Sequence, residues 1–209
     1  GNEQSVISGA NNSMLSGFKI VFEVPMPGLP NYGCAISLNH VRQMVIKNNI
    51  INGHLGEGIS LYHSHFNILE NNTIQSVEAT KTIRDALSLS ASSYNHILNN
   101  KLTGSYAGLL AMDANGNKIE HNLARRIPFS SEEIDGGAIF LAREQDTQLL
   151  NNTALDLTSH PLGYTTGGLV LTLPVNIQVN NCLIYGKRRG LYANGNGNPA
   201  QSVTIKYSD

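Results

Sequence analysis

One block of residues recurs six times along this chain of 209 residues. Each block opens with a small residue and an aliphatic pair, continues through a variable stretch, and closes with Asn-Asn or a close relative. A repeat of this kind determines the architecture before local propensity does, because each unit buries its apolar face against the next unit. The six blocks are residues 34–49, 58–72, 86–100, 108–122, 137–152 and 168–181.

The spacing inside the block is almost constant. From the first aliphatic residue to the first Asn of the pair the step is 12 residues in five blocks and 11 in the sixth, from Leu169 to Asn180. In the fourth block His121 replaces that first Asn. From one second Asn to the next the step is 23, 28, 22, 30 and 29 residues, so the length varies after the Asn pair. We therefore expect insertions to emerge from one corner of the repeat.

Alternating aliphatic residues open most blocks, as in Ile59 and Leu61 or Leu87 and Leu89, and a period of two is typical of a strand. A second apolar run precedes the Asn pair and a third follows it. Three short strands in each repeat, stacked on their neighbours about 4.8 Å away, predict an all-β fold. The specific prediction is a right-handed parallel β-helix of about seven to eight coils with three short strands per coil.

Two sets of side chains should form columns along such a helix. The first is an aliphatic core of Ile59, Leu61, Leu87, Leu89, Leu109, Ile139, Leu141, Leu169 and Leu171. The second is a ladder of side-chain amides that hydrogen-bond from coil to coil at a tight bend. Its predicted members are Asn49, Asn72, Asn100, Asn122, Asn152 and Asn181.

Composition and charge limit the classes of function. The net charge is −1 and the isoelectric point near 6.7, which gives no support for nucleic acid or an anionic membrane as partner. No linker divides the chain, so residues 1–209 are predicted to form one domain. Cys34 and Cys182 lie five coils apart, beyond disulfide reach, and are expected to be free thiols. We expect neither a metal nor another cofactor.

The coil patterns GISL and NxIxNNxI, together with the segment Asp135-Gly136-Gly137-Ala138-Ile139-Phe140, resemble the pectin-lyase-like superfamily of right-handed β-helices. That superfamily includes polysaccharide lyases, glycoside hydrolases, epimerase modules and phage tailspikes. The resemblance covers roughly residues 14–207. It implies a protein that acts on or binds carbohydrate, and we expect it to be secreted or to lie on a cell surface or virion.

Acidic residues supply the candidate catalytic groups. Glu57 and Asp85 stand two residues before the first strand in adjacent coils, so their carboxylates should be stacked. Such a pair repels unless one acid is protonated, a cation binds, or Arg84 or Lys81 compensates. Paired carboxylates can cleave a glycosidic bond. The third candidate is Asp135, at the end of the longest insertion, and the resemblance implies that an Asp before Gly-Gly lies in the active groove.

Candidate substrate-binding residues lie on the outer face of the first strand and on the insertions beside it. Aromatic rings stack on sugar faces, and polar side chains exchange hydrogen bonds with hydroxyl groups. A second cluster, of His63, Asp113 and Arg143 with His65 beside it, should lie at the far end of the strand. His63 and His65 lack a third ligand for a metal. The substrate-binding candidates are Tyr62, Arg84, Phe140, Arg143, His160, Tyr164 and Tyr192.

These residues favour a polysaccharide-binding groove in which a glycosidic bond is cleaved, by a glycoside hydrolase or by a polysaccharide lyase. A lyase needs a basic residue to remove a proton, and Arg84, Arg143 and residues 187–189 are available. The alternative is a non-catalytic module that binds carbohydrate or a phage or viral receptor. Such a module would be a homotrimer or part of a longer chain.

Overall fold

The structure, a computed structural model, describes residues 6–21, 33–54, 56–76, 85–127, 136–158, 166–195 and 202–206. Within these ranges the chain forms 23 short strands and no helix. The strands are β1 (Ile7–Ser8), β2 (Met14–Ser16), β3 (Lys19–Val21), β4 (Ile36–Asn39), β5 (Val45–Lys47), β6 (Ile50–His54), β7 (Ile59–Tyr62), β8 (Ile68–Glu70), β9 (Thr73–Ser76), β10 (Asp85–Ser90), β11 (His96–Leu98), β12 (Lys101–Gly104), β13 (Ala107–Met112), β14 (Lys118–Glu120), β15 (Leu123–Arg126), β16 (Gly136–Ala142), β17 (Gln148–Leu150), β18 (Thr153–Asp156), β19 (Thr166–Thr172), β20 (Ile177–Asn180), β21 (Leu183–Gly186), β22 (Leu191–Asn194) and β23 (Val203–Lys206).

The strands form three parallel sheets. The first sheet contains β1, β4, β7, β10, β13, β16, β19 and β22, and the second contains β2, β5, β8, β11, β14, β17, β20 and β23. The third contains β3, β6, β9, β12, β15, β18 and β21. Each strand pairs with the strand three places later, so every complete coil adds one strand to each sheet. This confirms the predicted parallel β-helix of seven to eight coils.

The length variation falls between the third sheet and the first, as predicted. Only residues 105–106 join β12 to β13, whereas residues 77–84 separate β9 from β10 and residues 127–135 separate β15 from β16. We call this junction the variable corner.

Aliphatic columns fill the interior. Leu87 lies beside Ile59 on one side and Leu109 on the other, and the same register continues along the first sheet. All nine predicted core residues belong to one buried cluster and are at most 2% exposed. The predicted strand phase is therefore confirmed.

A column of small residues lies next to this core. Ala35, Ala86 and Ala138 are fully buried, and a Cβ atom added to Gly108 would lie 2.9 Å from the backbone nitrogen of Arg125. The small residue and the aliphatic residue after it both face the interior, which interrupts the alternation of the strand. The residue before the small one therefore faces outward, and this places Asp85 on the outer face of the first sheet.

Each coil bends at three positions where the backbone is left-handed. Every described non-glycine residue with positive φ, between 47° and 60°, occupies one of these positions. One position holds the first Asn of the pair in four blocks, His121 in the fourth block and Asn181 in the sixth, and Asn tolerates this conformation. The other two lie between the first and second sheets and accept bulky residues, including His63, Phe66 and Arg143. Phe66 and Tyr94 stack there with ring centroids 5.2 Å apart.

The second Asn of each pair forms the predicted ladder inside the coil. Asn72 Oδ1 accepts hydrogen bonds from the backbone N–H and from Nδ2 of Asn49, at 3.1 and 3.0 Å. The amide of Asn72 donates in turn to Asn100 Oδ1 at 3.0 Å and to the Ile46 carbonyl at 2.9 Å. The pattern continues through Asn100, Asn122 and Asn152, all buried.

The prediction that Asn181 is the last member of the ladder was wrong. Asn180 pairs with Leu150, so Asn181 lies beside Asn151 in the exposed column and Cys182 takes the ladder position. Asn152 Nδ2 approaches Cys182 Sγ at 3.9 Å. Counted from Leu169, the step of 12 residues ends at Asn181, so the sixth block keeps the common spacing. The apparent step of 11 arose because two successive Asn residues lie one position earlier than in the other blocks.

A second buried ladder escaped the sequence analysis. Asn67 donates to Asn95, and Asn95 donates to Asn117, at 3.0 and 3.4 Å. Asn117 then donates to the buried carboxyl of Glu144, whose Oε1 accepts the Ala114 N–H at 3.1 Å. The Thr147 hydroxyl lies 2.9 Å from Glu144 Oε2. Burial raises the pKa of Glu144 to about 7, although these three hydrogen bonds act in the opposite direction.

Replacing Asn100 by Ala should lower the free energy of unfolding by about 3 kcal/mol or more. Its amide donates to Asn122 and to two carbonyls, and its oxygen serves Asn72, so several buried groups would lose partners at about 1–3 kcal/mol each. Urea unfolding measures the change. Cys182→Asn is the matched control, because it puts an amide in the same column and should not destabilise. A loss below about 1 kcal/mol for Asn100→Ala would contradict the role of the ladder.

Glu144 should make the fold less stable as the pH rises. The folded state keeps the proton to about pH 7, whereas an unfolded chain loses it near 4.5. The contribution of Glu144 is therefore complete below pH 4.5 and decreases towards pH 7, by up to about 3 kcal/mol. Glu144→Gln removes the titration and should be more stable than the parent at about pH 8 but not at pH 4.5.

Thermal or urea unfolding across this pH range measures the difference between the two proteins. Glu120→Gln is the control, because hydrogen bonds from Lys118 and His96 lower the pKa of Glu120. Removal of that acid should not increase stability at about pH 8. Parallel stability curves for the parent and Glu144→Gln would contradict the assignment.

Candidate functional site

A groove of 480 Å³ lies on the outer face of the first sheet. Strands β4, β7, β10 and β13 form its floor, and residues of the variable corner form one rim. The outward alternation of each strand supplies its hydroxyl and aromatic groups. Its lining residues are Cys34, Ser37, Asn39, Gly56, Glu57, Ser60, Tyr62, Asp85, Ser88, Ser90, Leu110 and Met112.

Two acids, Glu57 and Asp85, stand side by side at the rim near the variable corner. The Gly58 N–H donates to the Asp85 carbonyl at 3.1 Å, which fixes the two coils in register at this point. Both acids line the groove, as their shared position in the repeat predicted. The structure therefore brings together two of the three predicted catalytic residues.

The Asp85 carboxyl is 6% exposed, and its Oδ1 atom has no hydrogen-bond partner among the described residues. Burial, and then the negative charge of Glu57, raises the pKa of Asp85 well above its usual range. A hydrogen bond from the backbone of Ala107 acts in the opposite direction. The raised pKa favours the protonated form of Asp85, which would reduce the repulsion between the two stacked acids.

The floor between the rims is suited to polyhydroxylated ligands. Ser60, Ser88 and Ser90 present hydroxyl groups, and Tyr62 is 49% exposed. Hydroxyl groups donate and accept hydrogen bonds, and an exposed aromatic ring offers a flat apolar face.

Imidazole rings lie next to Asn39 and Tyr62 of the groove lining, where the first sheet turns into the second. The rings of His40 and His63 stack with centroids 5.2 Å apart. The Tyr62 ring meets His63 edge-on at 4.3 Å. The sequence analysis singled out His63 and Tyr62 but not His40. A signal existed, because His40 lies four residues after Ile36, as His63 does after Ile59.

Phe140 differs from the expectation. It lies on the outer face of the first sheet but is only 8% exposed, because it packs with Leu110, Ala142 and Val170 and lies 5.9 Å from the Tyr106 ring. It therefore supports the floor of the groove, and its ring is not exposed for stacking on a sugar. Tyr192, further along the same face, lies under the Arg189 guanidinium at 5.2 Å.

Arg143 lies at the corner between the first and second sheets, with its guanidinium on Asp113. Arg143 Nη2 donates to Asp113 Oδ2 at 2.7 Å, and this contact lowers the pKa of Asp113. The pair occupies the same left-handed position as His63 but lies two and three coils further along the axis. Arg143 does not line the groove.

Four predicted site residues, namely Arg84, Asp135, His160 and Tyr164, fall outside the described residues. Cys34 was missed, although it stands two residues before Ile36 and so shares the column of Glu57 and Asp85. It is buried and lines the groove. Neither Cys34 nor Cys182 is in a disulfide, as predicted.

Within the part of the chain that the structure describes, no three His, Cys, Asp or Glu side chains are close enough to hold a metal ion. In the same part, the structure has no helix long and apolar enough to cross a membrane.

Comparison with known proteins identifies the fold. The family described as right handed beta helix region matches residues 34–208. No curated protein sequence matches the chain. The periplasmic alginate epimerase AlgG is 16% identical with a TM-score of 0.64, over 84% of this chain and 47% of the epimerase. The chain thus spans about half the length of that enzyme.

Two other solved structures are similar at the level of fold. Pectate lyase Pel9A is 14% identical with a TM-score of 0.62, over 91% of this chain and 58% of the lyase. The Dettilon tailspike protein gp208 is 16% identical with a TM-score of 0.57, over 82% of this chain and 38% of the tailspike. With the family match over residues 34–208, the chain belongs to the right-handed β-helix family.

Proposed function

We propose that this protein binds a saccharide chain in the groove of the first sheet and cleaves a glycosidic bond there. Asp85 acts as the acid and Glu57 as its partner carboxylate. The observation that carries the proposal is the state of Asp85, a carboxyl that is buried, lines the groove and has an oxygen without a hydrogen-bond partner among the described residues.

The environments of the two acids divide the roles. A general acid must hold its proton near the working pH, and the raised pKa of Asp85, caused by burial and then by Glu57, supports this role. Glu57 is half-buried and closer to solvent, so it is the member that acts as base or nucleophile. Asp135 remains a third candidate on sequence grounds alone.

The remaining contacts would hold the sugar. Tyr62 would stack on a ring face, and Ser60, Ser88 and Ser90 would exchange hydrogen bonds with hydroxyl groups. Arg84, His160, Tyr164 and Tyr192 stay proposed as further contacts. Phe140 would act indirectly, through packing under the floor.

The two acids on the rim support hydrolysis, whereas a base for elimination would have to come from Arg84, which precedes Asp85 in the sequence. A lyase needs a basic side chain at the sugar, and no Lys or Arg is among the described residues that line this groove. Arg143 is engaged with Asp113 outside the groove. Carboxylic acids, in contrast, stand directly on the rim.

The comparisons support a carbohydrate-directed function without naming a substrate. The names of alginate epimerase and pectate lyase are those of enzymes that act on polysaccharides. Their similarity to this chain is a similarity of fold. Fold alone carries many chemistries. A secreted or surface location is part of the same proposal, and AlgG is periplasmic by name.

Asp85→Asn should lower turnover by about 100-fold or more on any polysaccharide that the parent cleaves, because general acid catalysis contributes about 10² to 10⁴. Glu57→Gln should show a similar loss, and Asp135→Asn tests the third acid. Release of reducing ends from neutral and uronate polymers measures turnover, and ultraviolet absorbance of unsaturated products detects elimination. Glu120→Gln, an acid on the second sheet, is the control and should retain full activity.

Full activity of all three variants would exclude the groove acids, and the corner of His63, Asp113 and Arg143 would become the leading candidate. A parent that cleaves nothing yet retains oligosaccharides would be a non-catalytic module. Sedimentation would then decide whether that module is a trimer.

A further inference from the structure

A cluster of basic and aromatic side chains occupies the end of the groove opposite the acids. It lies where β4 and β7 turn towards the second sheet. We call it the histidine corner, and it comprises His40, Arg42, Tyr62, His63 and His65.

Backbone geometry brings the two outer imidazoles together. His40 and His63 occupy the same left-handed position in adjacent coils, with φ of 57° and 47°. Their rings stack 5.2 Å apart at 25°, and the Tyr62 ring lies within 6.1 Å of His40. His40 is exposed and His63 half-buried, so both can be reached from solvent.

The histidine corner is continuous with the groove. Asn39 and Tyr62 belong to the lining of the groove and contact the imidazoles. His40 Nδ1 donates to Asn39 Oδ1 at 2.6 Å, because an amide oxygen can only accept. Among the described residues, His40 Nε2 and both ring nitrogens of His63 have no hydrogen-bond partner. Three nitrogens are therefore available to a ligand at the end of the groove.

Among the described residues, no acid forms an ion pair with the basic groups of this corner. The His65 ring is fixed by the Ser93 N–H, which donates to Nδ1 at 3.1 Å. Burial, then Arg42, His63 and His40, lowers the pKa of His65, and no carboxylate is among the groups that act on it. The facing turn of the next coil, residues 91–94, carries no charged side chain, and on the preceding coil Asn11 Oδ1 accepts the Arg42 backbone N–H at 2.7 Å.

At the same left-handed position of later coils, the charge of a basic side chain is compensated by an acid. Further along the axis, Arg143 pairs with Asp113 through two hydrogen bonds. The histidine corner has basic groups in the equivalent place without such a partner among the described residues. An anion from outside would supply the missing charge.

We propose that the histidine corner is an anion subsite of the groove, which binds a carboxylate or sulfate carried by the saccharide. The inference rests on the proposed function, since it presumes a sugar chain in the groove. Glu57 and His63 are six residues apart, about 20 Å of extended strand. The acidic group recognised here therefore belongs to a sugar unit other than the one at the cleaved bond.

Calorimetric binding of oligosaccharides tests the proposal. The probes are neutral gluco-oligosaccharides, oligogalacturonate, oligomannuronate and a sulfated oligosaccharide, at about pH 5.5 and pH 8. The parent should bind at least one acidic probe about tenfold more tightly than a neutral probe. Uronate and sulfate probes distinguish the two sources of the anion.

The double variant His40→Asn, His63→Asn should lose the preference for acidic probes. Asn tolerates the left-handed backbone, so the turn is preserved. His121→Asn is the matched control, because Asn occupies that column in the neighbouring coils, and it should bind like the parent. Arg42→Gln is a second variant that leaves both stacked rings in place, and it should also weaken the acidic probes.

Two results would overturn the inference and leave the groove assignment intact. One is a parent that prefers neutral oligosaccharides and loses them in Tyr62→Ala. The other is a double variant and Arg42→Gln that both bind acidic probes as the parent does. A parent that binds no saccharide at either pH would instead overturn the proposed function together with the inference.

Discussion

The need to satisfy buried backbone hydrogen-bonding groups at the bends determines how this chain can fold. A bend between two sheets carries backbone N–H and C=O groups that face the interior, where water does not compensate them. Two columns of side-chain amides answer this demand, one from Asn49 to Asn152 and one from Asn67 to Asn117. Each amide binds backbone and neighbouring amide at once, so the bends cannot slip relative to each other. Register along all three sheets follows from this constraint.

The position of the acids follows from the same register. In each coil a small residue and an aliphatic residue both turn inward, so the residue before them turns outward. In coils three and four that residue is Glu57 and Asp85. Burial of Asp85, and then the charge of Glu57 on the adjacent coil, raises the pKa of Asp85. Two acids at equivalent positions of a repeat therefore have different environments.

Sequence patterns predicted most of the fold and part of the candidate site. Leu87 and Leu89 could be assigned to the core because strand alternation reports burial directly. Cys182 could not be recognised from the sequence as a member of the amide ladder. Asn180 and Asn181 match the Asn-Asn pattern, but they lie one position before the ladder column. Phe140 was known to face outward, but its burial depends on packing between coils that no local pattern encodes.

The histidine corner shows a second reason why the sequence did not predict the whole site. Left-handed backbone is expected for Asn and Gly, so a sequence gives no sign that His40 and His63 adopt it. Tertiary stacking imposes the conformation, and the stacked rings are its result. The second amide ladder was missed for a related reason, since Glu144 and Thr147 continue it with different chemistry.

Cys182 divides the rod into segments of unequal rigidity. Coils two to six are joined by the amide ladder, whereas a thiol, a weak hydrogen-bond partner, holds the seventh. Opening should therefore begin in coils seven and eight and proceed inward, as expected for stacked repeats whose interfaces differ in strength. Glu57, Asp85 and the histidine corner all lie within the laddered segment. The far coils can fray without disturbing the groove, so its geometry is insulated from motions at that end of the solenoid.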